Sequence, residues 1–146
     1  MSEAIYLAVD LGAGQGTRIG LFDSHFHELV LDALPLQSYG ADYPAFRENL
    51  CHCIGRLIDG LPAAKTRLRG IGIASAGIMG NDGSFLLTAN IPFLKGNNLR
   101  LDLENHFKVP TRIANDADAG ALAEWSVLRM ELLYWVFGGG WGGAWI

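Results

Sequence analysis

The spacing of apolar positions changes several times along the chain, and each change marks an element. Ala4 to Val9 is a short apolar run, glycines follow, and Thr17 to Phe22 alternates imperfectly before a turn at Asp23 and Ser24. Two strands joined by a glycine-rich turn predict a hairpin. Leu29, Val30 and Leu31 suit a third strand over Glu28 to Ala33. From Tyr43 to Leu61 the apolar residues Phe46, Leu50, Ile54, Leu57, Ile58 and Leu61 recur mainly at three- and four-residue steps, the period of an amphipathic helix, which Pro62 ends.

Further on, Arg69 to Ala74 and Ser84 to Thr88 read as strands, Leu99 to Phe107 as a helix and Thr111 to Ala114 as a strand. Asn115 or Asp116 can cap a helix running from Ala117 to about Arg129. Leu132 to Phe137 is a last apolar strand that enters the run from Gly138 to Gly143. Three strands, a crossover helix and then alternating strands and helices predict an α/β fold, a mixed sheet flanked by helices. No repeat of 20 to 50 residues is present, which excludes solenoids.

Composition narrows the classes. The 146 residues fit one compact domain, and half are hydrophobic, as a buried core requires. The net charge is −4, with only a short basic group at Lys65, Arg67 and Arg69, so no nucleic acid partner is expected. The N-terminus lacks the pattern of a secretory signal, and no uncharged apolar run reaches the roughly 20 residues of a membrane helix. No membrane partner and a cytoplasmic location are therefore expected. Cys51 and Cys53 flank His52, but residues two apart on a helix diverge, so core thiols are expected rather than a metal site.

Three segments carry candidate chemistry. In Asp10-Leu11-Gly12-Ala13-Gly14-Gln15-Gly16-Thr17, alternating glycines follow a strand that delivers a carboxylate. Glycines let a backbone approach a phosphate closely and point successive N–H groups at its oxygens. A strand rather than a helix follows, against a dinucleotide-binding turn, and no Gly-Lys-Ser/Thr ending follows, against a P-loop. Asp10 is placed to hold Mg2+ beside such a phosphate. A decorated hairpin turn with a capping aspartate explains the same residues.

The second segment is Asn115-Asp116-Ala117-Asp118-Ala119, between a strand and an alanine-rich helix. Phosphoryl transfer to a hydroxyl needs a carboxylate that accepts the proton, and Asp116 is the candidate. Ordinary N-capping accounts equally for Asn115, Asp116 or Asp118. Trp125, further along that helix, is expected in the core and Glu124 at the surface. The third segment is Gly138 to Gly143, a second glycine turn that could clamp phosphates or be a close-packed hairpin.

Together these residues resemble the ROK family of sugar kinases and repressors, in the actin-like ATPase superfamily with its ribonuclease H-like lobes. The resemblance covers nearly the whole chain. Ala8 to Gly12 through Gly20 to Asp23 looks like the family's first phosphate loop, Gly70 to Gly77 like its strand leading to the sugar, and Asn90-Ile91-Pro92 with Gly96 like its Asn-x-Pro segment. Val109-Pro110, Asn115 to Ala119 and Ala121 to Glu124 resemble the block around the catalytic aspartate. Two features depart from the family. The first loop is longer than Asp-x-Gly-Gly-Thr, leaving Thr17 as the counterpart of its threonine, and Gly139 stands where a phosphate-binding hydroxyl is usual.

The resemblance implies ATP-dependent, Mg2+-assisted phosphorylation of a hexose or amino sugar. Asp116 would be the base, Gly77, Asn90 and Asn115 the sugar-binding residues, and Asp10 the metal ligand. Gly12, Ala13, Gly14, Gln15, Gly16 and Thr17, with Gly138, Gly139 and Gly140, would hold the nucleotide. The chain would be the N-terminal lobe, lacking the C-terminal lobe with its zinc-binding block, so no structural zinc is expected. A homo-oligomer or a complementing second lobe is expected to cover its apolar end. The competing readings are a non-catalytic sugar- or nucleotide-binding module, an inactive truncated kinase homologue, and an activator-type ATPase that hydrolyses ATP without sugar.

Overall fold

The computed structural model describes residues 4–12, 14, 16–88, 91–137 and 141–146. The chain opens with three antiparallel strands, β1 (Ile5–Gly12), β2 (Gly16–Asp23) and β3 (Glu28–Leu34). Helix α1 (Tyr43–Gly60) and the single-turn α2 (Ala64–Arg67) cross to β4 (Leu68–Ser75), which pairs parallel to β1. A small hairpin, β5 (Ile78–Met79) with β6 (Phe85–Leu87), and helix α3 (Leu99–Phe107) lead to β7 (Thr111–Asn115), parallel to β4. The sheet order is β3-β2-β1-β4-β7. Helix α4 (Asp116–Leu128) follows, then a separate ribbon of β8 (Leu133–Phe137) and β9 (Trp141–Trp145).

The periodicity that predicts these elements also assembles the core. Ile5, Leu7, Val9 and Leu11 alternate on β1, and Ile71 and Ile73 stand on the same face of β4. Onto that face α1 brings Phe46, Leu50, Ile54 and Leu57, and α3 brings Leu99 and Leu103, all buried in one cluster. Helix α1 begins where Asp42 accepts the Ala45 N–H and Pro44 occupies its first turn. The opposite sheet face is sparsely covered, with Tyr6, Leu31 and Gly72 exposed.

Cys51 and Cys53 are buried and unbridged, as expected of core thiols, and burial pushes the Cys51 thiol up to about 11. Trp125 is only partly buried, with the Arg129 guanidinium 4.8 Å from its ring centre, so it lies at the margin of the core rather than inside it. No described helix is long and apolar enough to cross a membrane.

Candidate functional site

Parallel pairing aligns the carboxyl ends of three strands: Leu11 of β1, Ser75 of β4 and Asn115 of β7 stand in one row. Open α/β sheets bind ligands outside this edge, because the loops leaving it are free to diverge. The glycine-rich turn leaves it from β1. Gly12 and Gly16 are paired across the turn, and a Cβ on Gly12 would collide with the Gly16 carbonyl oxygen. Gly16 has φ +90°, and a Cβ there would lie 2.5 Å from the Leu34 carbonyl oxygen. Neither position has room for a Cβ, so both require glycine. Gly14 at the exposed tip has open space where its Cβ would be. Ala13 and Gln15 lie outside the described residues.

Thr17 does not face this space. It is fully buried, and its hydroxyl lies 2.7 Å from that of Tyr39, which donates to the Gly12 carbonyl at 2.9 Å. Asp10 is half exposed at the end of β1, and a single oxygen, Oδ2, accepts from Arg18 Nη2 at 2.5 Å and Nε at 3.1 Å. Cross-strand pairing of Asp10 with Arg18 brings this about. Among the described residues the other carboxylate oxygen has no hydrogen-bond partner, and a carboxylate oxygen is the kind of donor that Mg2+ takes.

At the other end of the row, the local sequence builds a junction. Asn115 caps α4 by accepting the Ala117 N–H at 2.8 Å, and its amide nitrogen donates to the Gly77 carbonyl at 3.0 Å. Gly77 has φ +130°, and a Cβ there would sit 2.5 Å from the Leu87 carbonyl oxygen, so only glycine lets this loop pass beneath β6. Asp116 is exposed as the first residue of α4, and its own Oδ1 lies 3.0 Å from the Ala117 N–H. Asn115 thus already spends one acceptor and one donor on the backbone, leaving one of each for a ligand. Asp118 is exposed one residue beyond Ala117.

The ribbon also reaches this corner. A Cβ on Gly142 would lie 3.1 Å from Ala117 Cβ, so β9 crosses directly over the first turn of α4, and a Cβ on Gly120 would strike the Tyr134 ring of β8. Gly138, Gly139 and Gly140 lie outside the described residues, flanked by the pair Phe137 and Trp141, and so does Asn90. The glycine hairpin and the Asn115–Asp116 junction are thus legible from sequence and stand at the same carboxyl edge of the sheet, with β4 between them. Tyr39 and Arg18 are not, since neither belongs to a glycine or carboxylate motif.

An open pocket of about 510 Å3 lies in a different place: Arg47, Cys51, His52, Asp102 and His106 line it between α1 and α3. There Tyr43 donates to Asp102 at 2.5 Å and Arg47 lies 3.8 Å from the same oxygen, so its polar groups serve the helix contact. None of the candidate residues lines it. Among the described residues no group of histidine, cysteine and carboxylate side chains is arranged to hold a metal ion.

A mixed five-stranded sheet with a glycine hairpin at its first turn and an asparagine-capped helix after its last parallel strand makes the chain an α/β lobe. The profile of the ROK family matches residues 6–146, and the chain belongs to that family. It is 29% identical over 123 residues to the N-acetyl-D-glucosamine kinase of Pectobacterium atrosepticum, a match covering 82% of this chain and 37% of that protein. The ROK hexokinase of Thermus thermophilus superposes with a TM-score of 0.77 at 26% identity, over 97% of this chain and 46% of the hexokinase. A ROK glucokinase from Streptomyces griseus, solved with glucose and AMPPNP, superposes with a TM-score of 0.79 at 20% identity, over 98% and 44%. The chain spans less than half the length of each of these three relatives.

Proposed function

We propose that the chain is the N-terminal lobe of an ATP-dependent kinase for a hexose or amino sugar, with Asp116 as the base. The observation that carries this reading is the junction at α4. Asn115 is fastened both to the helix backbone and to Gly77, so Asp116 is presented on a rigid support at the strand edge that also carries the glycine hairpin. Asn115 caps the helix, and the Asp116 carboxylate beside it is exposed. The named activities of the relatives agree with this class of reaction.

In this reading ATP supplies the phosphoryl group; Asp10 would hold Mg2+, which would balance the phosphate charge, and the backbone of residues 12–16 would face the phosphates. The chain's own part is to hold and move a proton. Asp116 accepts the proton of the sugar hydroxyl as that oxygen attacks, and returns it to water afterwards. Asn115 orients a neighbouring hydroxyl with its remaining donor and acceptor, together with Asn90, while Gly77 keeps the approach clear. Such an enzyme works where ATP is held, in the cytoplasm.

The remaining half of the site would come from a complementing lobe. Leu133, Trp135, Phe137, Trp141 and Trp145 share one face of the ribbon, the face turned away from α4, and are 56–84% exposed. A two-stranded ribbon is marginal alone, and a bare aromatic face of this size marks a docking surface. A second copy of the chain is the other occupant to test.

The test is Asp116→Asn in the protein completed by its second lobe. Sugar-dependent turnover should fall by about a thousandfold, the scale of losing a positioned base, while sugar affinity changes little. Turnover equal to that of the parent would remove Asp116 from this role. Sugar binding by the parent with no ATP binding or hydrolysis would favour the non-catalytic module.

A further inference from the structure

The glycine hairpin is held from below by one side chain that belongs to neither strand. Tyr39 follows a 3-10 turn (Leu36–Ser38) in the link from β3 to α1 and is 4% exposed. Its ring packs edge-on against Phe46 of α1 at 5.0 Å between centroids and against Phe93 at 6.4 Å. Its hydroxyl reaches both stems of the loop, the Gly12 carbonyl at 2.9 Å and Thr17 Oγ1 at 2.7 Å.

The proton order follows from valence. A carbonyl only accepts, so the single Tyr39 proton goes to Gly12, and the Thr17 hydroxyl must donate to Tyr39. Burial raises the Tyr39 hydroxyl above its ordinary range, so the donor persists at any physiological pH. The same link also touches Gly16, whose absent Cβ would collide with Leu34 and come within 3.1–3.2 Å of Pro35 and Leu36. Both loop stems therefore rest on residues 34–39, by backbone contact at Gly16 and by hydrogen bonds at Gly12 and Thr17.

We infer that Tyr39 is a positioning residue for the phosphate loop, its hydroxyl fixing the separation and direction of the two stems between which the loop amides are displayed. The inference rests on the kinase reading for what the loop holds, but not for the clasp itself. Tyr39→Phe keeps the ring packing and removes only the clasp, leaving the Gly12 carbonyl and the buried Thr17 hydroxyl without their shared partner. A loop left loose by a fraction of an ångström presents its N–H groups poorly to a phosphate.

The experiment compares Tyr39→Phe and Thr17→Val with the parent, and with Phe46→Leu, which loosens the aromatic packing without touching the clasp. Amide hydrogen exchange in the nucleotide-free protein should be about tenfold faster over residues 12–17 in the first two variants, with the β4 amides unchanged. In the enzyme completed by its second lobe, both variants should raise the KM for ATP about tenfold while leaving the KM for sugar unchanged. Phe46→Leu should lower the melting temperature without this split.

Unchanged loop exchange in Tyr39→Phe, or faster exchange with an unchanged KM for ATP, overturns the inference. If the parent binds no nucleotide, the kinase reading fails, and the exchange comparison still decides whether Tyr39 sets the loop.

Discussion

Asn115 makes two backbone contacts that can be removed separately, and their energies can be set beforehand. Its Oδ1 accepts from Ala117 at 2.8 Å and its Nδ2 donates to Gly77 at 3.0 Å. Serine caps a helix about as well as asparagine but cannot reach Gly77, so Asn115→Ser loses one net hydrogen bond, about 1 kcal/mol. Asn115→Ala also loses the cap, ordinarily about 0.5–2 kcal/mol. Asp116 Oδ1 already lies 3.0 Å from the same N–H and offsets part of that, so the alanine variant should lose about 2 kcal/mol in all. Asn115→Asp keeps the cap but turns a second oxygen toward the Gly77 carbonyl, so it should be less stable than the serine variant. Urea unfolding followed by circular dichroism measures these differences, and in heating each kcal/mol should appear as about 4 °C. A serine variant as stable as the parent, or an aspartate variant more stable than serine, would refute the claim that Asn115 ties the Gly77 loop to α4.

Three further outcomes follow from burial and charge. Cys51, raised to about 11 by burial, should resist alkylation at pH 8 in the folded protein and react once urea unfolds it. Because its folded pKa lies above the unfolded value, the native state holds its proton longer: the stabilisation is complete below about pH 9 and declines as the pH rises toward 11, a decline that Cys51→Ala should lessen in pH-dependent unfolding. Trp135→Ser with Trp141→Ser should reduce self-association of the isolated chain in sedimentation velocity and reduce binding of hydrophobic dyes; unchanged association would place the contact elsewhere than the ribbon.

Periodicity revealed the elements because the chain buries one face of each. The steps from Phe46 to Leu61 predict α1 within a residue of its observed end, while the apolar run read at Ala4 to Val9 proves to bury alternate residues of β1. The glycine turn and the Asn115–Asp116 junction were legible because local backbone geometry demands particular residues there, glycine at positive φ and asparagine at the cap. What sequence did not reveal depends on contacts distant along the chain. Tyr39 lies 27 residues from Gly12 and 22 from Thr17, and no local pattern marks a tyrosine whose hydroxyl meets both. Thr17, read as a nucleotide contact, is instead buried at the loop's base, because the side chain that follows Gly16 on β2 points to the core. Trp125 misled for a related reason: α4 offers mostly alanine to the sheet, burying Ala117 and Ala121, which leaves the larger residue at the edge.

The central claim is that the hairpin at residues 12–16 and Asp116 serve one reaction, phosphoryl transfer from ATP to a sugar. The most direct measurement supplies the enzyme, completed by its second lobe, with ATP, Mg2+ and N-acetylglucosamine or glucose, and follows sugar phosphate and ADP together by 31P NMR. Equimolar ADP and sugar phosphate are expected, both abolished when sugar is omitted and both lost in Asp116→Asn. ADP formed at the same rate without sugar would contradict it in favour of an ATPase.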